Sequence, residues 1–477
     1  MPPILFPATT STQRRWIAHL KREGQIRPIG PRLYTSVAAG KVADAVRGSW
    51  STIVATLFPR ALISHRTALE FKPSPDGEIF ITATTNRRVA YPGLTLCFAR
   101  GPGPLADDPK FLTMRSSSQP RALLENLSTT RRGSRPRTAP IEEVEKRLEQ
   151  ILRVEGEAGL GQVAERARQI ARELGWGVEL ARLDDLIGAL LGTRTAKLSS
   201  PIARARAVGE PFSPACLERL QGLFGELRGP LVDIPDPRRE PAHFTNKAFF
   251  EAYFSNYIEG TTFEIEEAEQ IVFDHKMPAA RPQDAHDIAG TFRITSDPAE
   301  MRRTPASFDD LLALLQARHR TMMKERAEVE PGKLKVHPNR AGATHFVDPE
   351  CVIGTLRKGM ALYADLAVGL PRAIFVMFLV SDVHPFSDGN GRIARIMMNA
   401  ELVRAGRATI IIPTVYRDDH LQALRALTRR NRAAPLVNAL LRAQRFSDLE
   451  FSSYPDVLRE LQRRNWFRDP DEARIID

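Results

Sequence analysis

Residues 371–395, PRAIFVMFLVSDVHPFSDGNGRIAR, decide the fold of the region around them. The stretch starts with a proline, which suits the first turn of a helix, and stays apolar on nearly every side up to Val383, as in a helix buried in a core. Pro385 then ends that helix. Gly389 and Gly391 permit unusual backbone angles before a second helix starts, whose apolar residues share one side. The pattern predicts two core helices joined by a short polar loop.

The loop between these helices has the composition of a phosphate-binding site. The backbone amides of Gly389, Asn390 and Gly391 come at the positive N-terminus of the second helix, where anions bind. Arg392 adds a bidentate phosphate partner, and Arg395 supplies another cation one turn later on the same face. We therefore predict that the loop holds the phosphates of a nucleotide.

Two further side chains in the loop suit chemistry on a phosphate. Asp388 suits a Mg²⁺ ion, because Mg²⁺ binds one or two carboxylates together with substrate phosphates. His384, at the end of a rigid helix, is the group here that can act as a general base near neutral pH. Together these residues predict attack of a hydroxyl on a magnesium-bound nucleotide phosphate.

The string HPFSDGNGRIAR, residues 384–395, resembles the signature of the Fic family, H-P-F-x-D/E-G-N-G-R-x-x-R, at every specified position. The resemblance implies an α-helical enzyme that transfers AMP from ATP to a Ser, Thr or Tyr hydroxyl of a protein and releases pyrophosphate. It implies that His384 deprotonates the hydroxyl, that Asp388 holds Mg²⁺ and that Arg395 holds the γ-phosphate. The remaining implied phosphate ligands are Gly389, Asn390, Gly391 and Arg392.

Gly391 bears on which group is transferred. Family members that phosphorylate usually carry lysine here, so the glycine points to adenylylation. Transfer of uridylyl or phosphocholine groups stays open, because the signature residues bind the phosphates and do not contact the base. Two other readings also stay open: a transcriptional regulator or toxin-antitoxin-like module whose Fic core senses ATP, and a Fic enzyme that removes AMP from its target.

Residues 245–260 predict a further functional helix. Thr245 can cap a helix with a wide apolar face, and Gly260 can end it. Ser255 and Glu259 lie one turn apart on one side. Because a carboxylate in the last turn opposes the helix dipole, Glu259 should face a cation.

The end of this helix also carries a resemblance. SNYIEG, residues 255–260, is similar to the inhibitory motif of the Fic family, S/T-x-x-x-E-G/N. The resemblance implies Arg395 as the partner of Glu259. It also implies a weakly active resting enzyme.

Residues 332–349, GKLKVHPNRAGATHFVDP, predict a β-hairpin in an otherwise helical region, with strands at 333–337 and 343–347. In the Fic family such a flap pairs with an extended segment of the target protein, which makes 332–349 the predicted target site. Self-modification and homo-oligomer formation stay open. The stretch after the signature resembles the part of the family fold that lines the adenine pocket, which implies Tyr416 as a nucleotide contact.

The positive charge is concentrated at the start of the chain. Residues 1–140 hold 21 Lys and Arg but 8 Asp and Glu, and such an excess attracts polyanions. A capped helix from about residue 10 and a hairpin at Gly30 predict a winged-helix-like region that binds DNA through residues 10–35. LKREGQIRPIGPRLYTS, residues 20–36, resembles abortive-infection-type antitoxin regulators. The alternative is an Arg-rich helix and hairpin that pack on their neighbour.

The predicted fold class is mainly α: a helical Fic domain with a short β-hairpin flap, preceded by an α-helical middle region and a basic winged-helix-like α/β region. The predicted boundaries are 1–110 for the basic region, 111–232 for the middle region with an Arg-rich linker near 129–140, 233–437 for the Fic domain, and 438–477 for a C-terminal helical extension. No apolar stretch approaches the roughly 20 residues of a membrane span. Three cysteines without CxxC spacing predict a cytoplasmic location.

Overall fold

The computed structural model describes residues 3–7, 10–31, 33–129, 137–238 and 240–476. The chain divides into two compact units, Met1–Val208 and Gly209–Asp477. Both are rich in helix, and the strands lie mostly in the first unit, so the predicted mainly α class is confirmed. Most of the predicted linker at 129–140 lies outside the described residues. No described helix combines the length and the apolar character needed to cross a membrane.

The N-terminal unit begins with a small antiparallel sheet and one helix. These are β1 (Ile4–Leu5), α1 (Ser11–Arg22), β2 (Arg27–Gly30) and β3 (Leu33–Thr35), with strand order β1-β3-β2. The Thr10 hydroxyl accepts a hydrogen bond from the Gln13 backbone amide at 3.2 Å, and the Gln13 side chain accepts one from the Thr10 amide at 3.3 Å. This capping box starts α1 where the sequence predicts a helix, and the predicted hairpin follows it.

A six-stranded mixed sheet follows in the same unit. Its elements are α2 (Val42–Gly48), α3 (Trp50–Leu57), β4 (Leu62–Ile63), α4 (His65–Glu70), β5 (Glu78–Ala83), β6 (Arg87–Tyr91), β7 (Leu94–Arg100), β8 (Lys110–Phe111), β9 (Met114–Ser116) and α5 (Gln119–Asn126). The strand order is β6-β7-β5-β4-β9-β8. The unit closes with three helices: α6 (Ile141–Leu174), which is interrupted at Gly156, α7 (Gly177–Leu190) and α8 (Pro201–Ala207).

The C-terminal unit is helical apart from one very short hairpin. Its elements are α9 (Pro214–Leu227), α10 (Pro241–Ile258), α11 (Ile265–Val272), α12 (Pro282–Thr295), α13 (Pro298–Met301), α14 (Phe308–Met322), β10 (Arg340–Ala341), β11 (Thr344–His345), α15 (Val352–Ala364), α16 (Leu370–Val383), α17 (Asn390–Arg404), α18 (Arg417–Arg430), α19 (Ala434–Phe446) and α20 (Tyr454–Arg463).

Helix α16 forms the centre of this unit. Its Phe375 and Phe378 are fully buried, as the apolar pattern predicts, and α17 packs along it. Helix α9 also packs on α16, so the compact unit starts at Gly209 and not at the expected residue 233. Phe451 and Trp466 lie in the same core, which joins residues 438–477 to the helices around α16.

Two predicted elements are wrong in detail. Thr245 is not a cap, because α10 begins one turn earlier, at Pro241, whose ring suits a first helical position. No strand forms at 333–337, since the backbone amide of Lys335 donates instead to the carbonyl of Pro385 at 2.9 Å. The hairpin is limited to β10 and β11 around Gly342, whose φ is 58°.

Candidate active site

His384 is held at the end of α16 in a defined orientation. Its φ of 55° is left-handed, and its amide still donates to the Val380 carbonyl at 2.9 Å, which closes the helix. The ring Nδ1 lies 3.1 Å from the Ser381 carbonyl. Because a carbonyl can only accept, Nδ1 carries the proton and Nε2 keeps its lone pair. Burial lowers the pKa of His384 to about 4, so the imidazole is neutral at pH 7.

Side-chain amides and a second imidazole fix the loop that follows. Phe386 donates its amide to Asn390 Oδ1 and accepts from Asn390 Nδ2 on its carbonyl, both at 2.9 Å. His319 of α14 accepts from the Gly332 amide at Nδ1, at 2.8 Å, so its protonated Nε2 donates to the Asp388 carbonyl at 3.1 Å. Asn390 therefore contributes its side chain to loop geometry, and only its backbone amide remains for an anion.

A carboxylate lies at the N-terminus of α17, in the place predicted for a phosphate. Gly389 caps this helix with φ 75°, and the amides that follow form its positive end. A Cβ atom on Gly391 would overlap Oε1 of Glu259. The glycine thus leaves the space in which Glu259 approaches the helix terminus.

Arg395 joins α17 to the last turns of α10. Its Nε donates to Ser255 Oγ at 2.9 Å, and its Nη2 donates to the Ser255 carbonyl at 2.8 Å and to Glu259 Oε1 at 2.7 Å. Burial raises the pKa of the Glu259 carboxyl, but the charge and hydrogen bond of Arg395 outweigh it, and the net pKa lies below its usual value. The structure therefore brings together Ser255, Glu259 and Arg395, three residues that the sequence analysis singled out.

Arg392 is neutralised on the other side of α17. Its Nη1 donates to Asp287 Oδ2 of α12 at 2.6 Å and to Asn256 Oδ1 of α10 at 3.1 Å. Asp287 also accepts from Arg326 at 2.8 Å, so one buried carboxylate serves two guanidinium groups. Arg392 Nε is buried without a hydrogen-bond partner among the described residues. That donor remains for an anion.

Asp388 is the exposed carboxylate beside this helix terminus. More than half of its side chain is accessible, its Oδ1 accepts from the Gly389 amide at 2.7 Å, and its Oδ2 lies 3.8 Å from Arg392 Nη2. Within the described ranges no group of three metal-ligating side chains occurs. A single carboxylate next to a phosphate cradle nevertheless fits Mg²⁺, which takes most of its ligands from phosphates and water.

Comparison with known proteins matches this region to one family. Residues 308–402 match the family model described as Fic/DOC family. The chain contains a Fic domain. Protein adenylyltransferase fic-1 of Caenorhabditis elegans is 30% identical over 122 residues, which cover 25% of this chain and 23% of the relative. Protein adenylyltransferase Fic of Nematostella vectensis is 26% identical over 213 residues, covering 42% and 48%. The chain thus spans between about a quarter and a half of these relatives.

Solved structures of Fic proteins are also similar to the chain. Fic-1 (residues 134–508) from C. elegans has a TM-score of 0.38 and 19% identity, and the match covers 68% of this chain and 90% of that chain. A Fic domain containing signaling protein from Bacteroides thetaiotaomicron has a TM-score of 0.37 and 20% identity, with 49% and 93% covered.

The flap of the Fic domain is anchored on the signature loop. Lys335 Nζ donates to Asn339 Oδ1 at 2.7 Å, and Asn339 Nδ2 donates to the Phe386 carbonyl at 2.9 Å. Burial lowers the pKa of Lys335 to about 8. The Phe346 ring stacks on the His384 ring, with centroids 3.6 Å apart and an interplanar angle of 8°. The flap therefore lies directly over the imidazole.

Tyr416 lies in the core of the C-terminal unit and not on an open surface. Only 4% of it is exposed, its hydroxyl donates to the Ala439 carbonyl at 3.3 Å, and its ring packs edge-on against Phe446. The expected adenine contact at Tyr416 thus corresponds to a core side chain. Both partners belong to α19, so the ring faces that helix.

The sequence analysis missed three residues that support the site. Asp287 and Asn256 hold Arg392, and His319 holds the loop at Asp388. Each lies on a helix outside the signature. No local pattern marks these residues in the sequence, because their partners lie on other helices or loops.

Proposed function

We propose that the Fic domain is an autoinhibited protein adenylyltransferase, which transfers AMP from ATP to a Ser, Thr or Tyr hydroxyl of a target protein. The match to the Fic/DOC family and the relatives named protein adenylyltransferase support the reaction class. The arrangement of His384, the α17 terminus and Arg395 supports the assignment of roles. The observation that carries the proposal is the carboxylate of Glu259 at a helix terminus suited to phosphate.

His384 is the general base in this proposal. Its neutral Nε2 takes the proton of the target hydroxyl while the hydroxyl oxygen attacks the α-phosphorus of ATP. The bond between the α-phosphorus and the bridging oxygen breaks, pyrophosphate leaves, and the target keeps AMP as a phosphodiester. The flap at 332–349 holds the target segment, and because its Phe346 covers one face of the His384 ring, the hydroxyl approaches Nε2 in the plane of the imidazole.

The start of α17 binds the triphosphate. Its backbone amides and the free Nε of Arg392 meet the phosphate oxygens, and Arg395 meets the γ-phosphate. Asp388 would hold Mg²⁺, which when bound neutralises charge on the phosphates. These contacts fix the α-phosphorus for attack, which is the main contribution a protein makes to transfer of a phosphorus group.

Glu259 inhibits by occupying this site. While Glu259 and Ser255 hold Arg395, the γ-phosphate has lost a cation and meets a carboxylate instead. ATP then binds poorly or in a pose unsuited to in-line attack. Replacing the carboxylate should release Arg395 without altering His384.

The test is transfer of label from α-³²P-ATP in the presence of Mg²⁺, to the protein itself or to a lysate protein. Glu259→Gly should increase labelling, and adding His384→Ala should reduce it by roughly 10²- to 10⁴-fold. Glu264→Gly is the matched control, because Glu264 is exposed and extended and its side chain caps no helix. Labelling of Glu259→Gly no greater than that of Glu264→Gly would contradict the proposal and favour a nucleotide-sensing Fic core.

We also propose that residues 10–35 bind DNA. Arg14, Arg15 and Arg22 are exposed on α1, next to the hairpin of β2 and β3. The logarithm of the affinity of the full chain for duplex DNA should fall with log salt by about 0.9 per phosphate neutralised. Replacing the three arginines with glutamine should flatten that slope. An unchanged slope would contradict DNA binding by α1 and leave this surface to a protein partner.

A further inference from the structure

A cavity of about 620 Å³ lies at the end of α10 opposite to Glu259. Its walls come from the first three turns of α10, from α13 and from the end of α17 with the segment that follows it. All of these belong to the C-terminal unit. The volume is typical of a small-molecule site, which usually measures about 300–1,000 Å³. No residue discussed so far as a nucleotide ligand lines it.

The interior of the cavity contains buried polar atoms without a hydrogen bond within the described residues: His243 Nε2, Glu251 Oε1 and Thr409 Oγ1. The Asp236 carboxylate lies 3.9 Å from His243 Nε2, beyond hydrogen-bond distance. Each of the three residues is more than nine-tenths buried. Leaving such an atom unpaired costs about 1–3 kcal/mol, so a polar occupant is expected. Burial raises the pKa of Glu251 to about 7, which lets its carboxyl either donate or accept near neutral pH.

Two exposed arginines and one exposed carboxylate, Glu240, line the cavity. Arg302 and Arg404 are these arginines, and within the described residues their guanidinium groups donate to neutral oxygens. Arg302 bonds the Pro298 carbonyl at 3.3 Å, and Arg404 bonds the Thr304 hydroxyl at 2.9 Å. Neither arginine has a carboxylate at ion-pair distance in the part of the chain that the structure describes. Two guanidinium groups without a counter-charge form a site for an anionic group.

We infer that this cavity binds a small polyhydroxylated anion, either a sugar phosphate or a sugar acid. Hydroxyl groups both donate and accept, so they can satisfy His243, Glu251 and Thr409 together. The anionic group then meets Arg302 and Arg404 at the mouth. The inference concerns binding alone, so it stands or falls independently of nucleotide transfer.

Titration calorimetry on the full chain tests the chemical class. The probes are ribose 5-phosphate, gluconate, glucose and inorganic phosphate. Ribose 5-phosphate or gluconate should bind at one site at least about tenfold more tightly than both glucose and inorganic phosphate, and the stronger of the two identifies the anionic group. The inference is overturned if neither binds, or if inorganic phosphate or glucose binds as tightly.

Variants of the lining test the location. Arg302→Ser combined with Arg404→Ser should weaken the better probe about tenfold or more, and these exposed residues can be replaced without disturbing the core. Thr409→Val, which keeps the shape and removes the hydroxyl, should weaken it as well. Arg303→Ser is the matched control, since Arg303 is exposed next to Arg302 but does not line the cavity. Unchanged affinity in both test variants would place the ligand elsewhere and overturn the inference.

Discussion

The two sides of the first turns of α17 differ in how their arginines are neutralised. Towards α12, Arg392 meets Asp287, whose side chain is 2% exposed. Towards α10, Arg395 meets Glu259, whose side chain is 32% exposed. Separating a fully buried pair leaves an uncompensated charge, whereas a partly solvated carboxylate can leave into water. The first side therefore holds the helix in place, and the second can exchange its carboxylate for another anion.

The largest effect is expected on the buried side. Asp287→Ala leaves both Arg392 and Arg326 without this carboxylate, which should lower the free energy of unfolding by about 3–5 kcal/mol. Chemical denaturation measures it. Asp284→Ala is the matched control, because Asp284 is partly exposed and, among the described residues, accepts from Arg326 at 2.6 Å and from no second guanidinium group. Equal losses in the two variants would contradict the special role of the Asp287 side.

The exposed side should behave in the opposite way. Glu259→Gly should change the free energy of unfolding by no more than about 1 kcal/mol, because the Glu259 carboxylate is partly exposed and Ser255 still accepts two hydrogen bonds from the buried Arg395. The rate of label transfer should rise by roughly 5- to 150-fold, the usual range of coupling between competing states. Parallel denaturation and labelling of one preparation check both. A large loss of stability without faster transfer would show that Glu259 is structural.

A smaller effect is expected from Ser255. Ser255→Ala removes the hydroxyl that accepts from Arg395 Nε but keeps the backbone carbonyl and the Glu259 contact. Losing about 1 kcal/mol of this restraint should raise label transfer by roughly fivefold. Ser255→Thr, which retains a hydroxyl, should stay near the unaltered rate. If Ser255→Ala transfers label as slowly as Ser255→Thr, the Ser255 hydroxyl does not contribute to inhibition.

The smallest effect concerns pH. The pKa of Glu259 is lower in the folded protein than its usual value, so its contribution to stability is present above that usual value and is lost as the pH falls through the lowered one. The difference in melting temperature between the unaltered protein and Glu259→Gln should therefore be constant from about pH 6 to 8 and shrink in acid. Thermal denaturation across pH measures it, and a difference that grows in acid would contradict the ion pair.

The local sequence pattern was sufficient to predict helix α16 and the loop at residues 384–395. His384, Asp388 and Arg395 lie within twelve consecutive residues, so the break at Pro385 and the two glycines already place them around one helix terminus. The same holds for α16, whose apolar sides require burial. The partnership of Glu259 with Arg395 crosses from one helix to another, and only the resemblance to a family motif indicated it.

Features that depend on tertiary packing could not be predicted. Asp287 and His319 are ordinary polar residues of α12 and α14 until the fold brings them to Arg392 and to the loop at Asp388. The segment 333–337 alternates like a strand, but its amide at Lys335 bonds the signature loop. The burial of Tyr416 also depends on tertiary packing, because the residues that cover it belong to α19, which comes later in the chain.

A crystal structure of Glu259→Gly with Mg²⁺ and a non-hydrolysable ATP analogue tests the central claim most directly. The account predicts the γ-phosphate at hydrogen-bond distance from Arg395, with the α-phosphate facing Nε2 of His384. It also predicts that the unaltered protein under the same conditions keeps Arg395 on Glu259. A nucleotide bound away from the start of α17 would contradict this claim. So would a nucleotide that binds in the same pose in both proteins although Arg395 stays on Glu259 in the unaltered one.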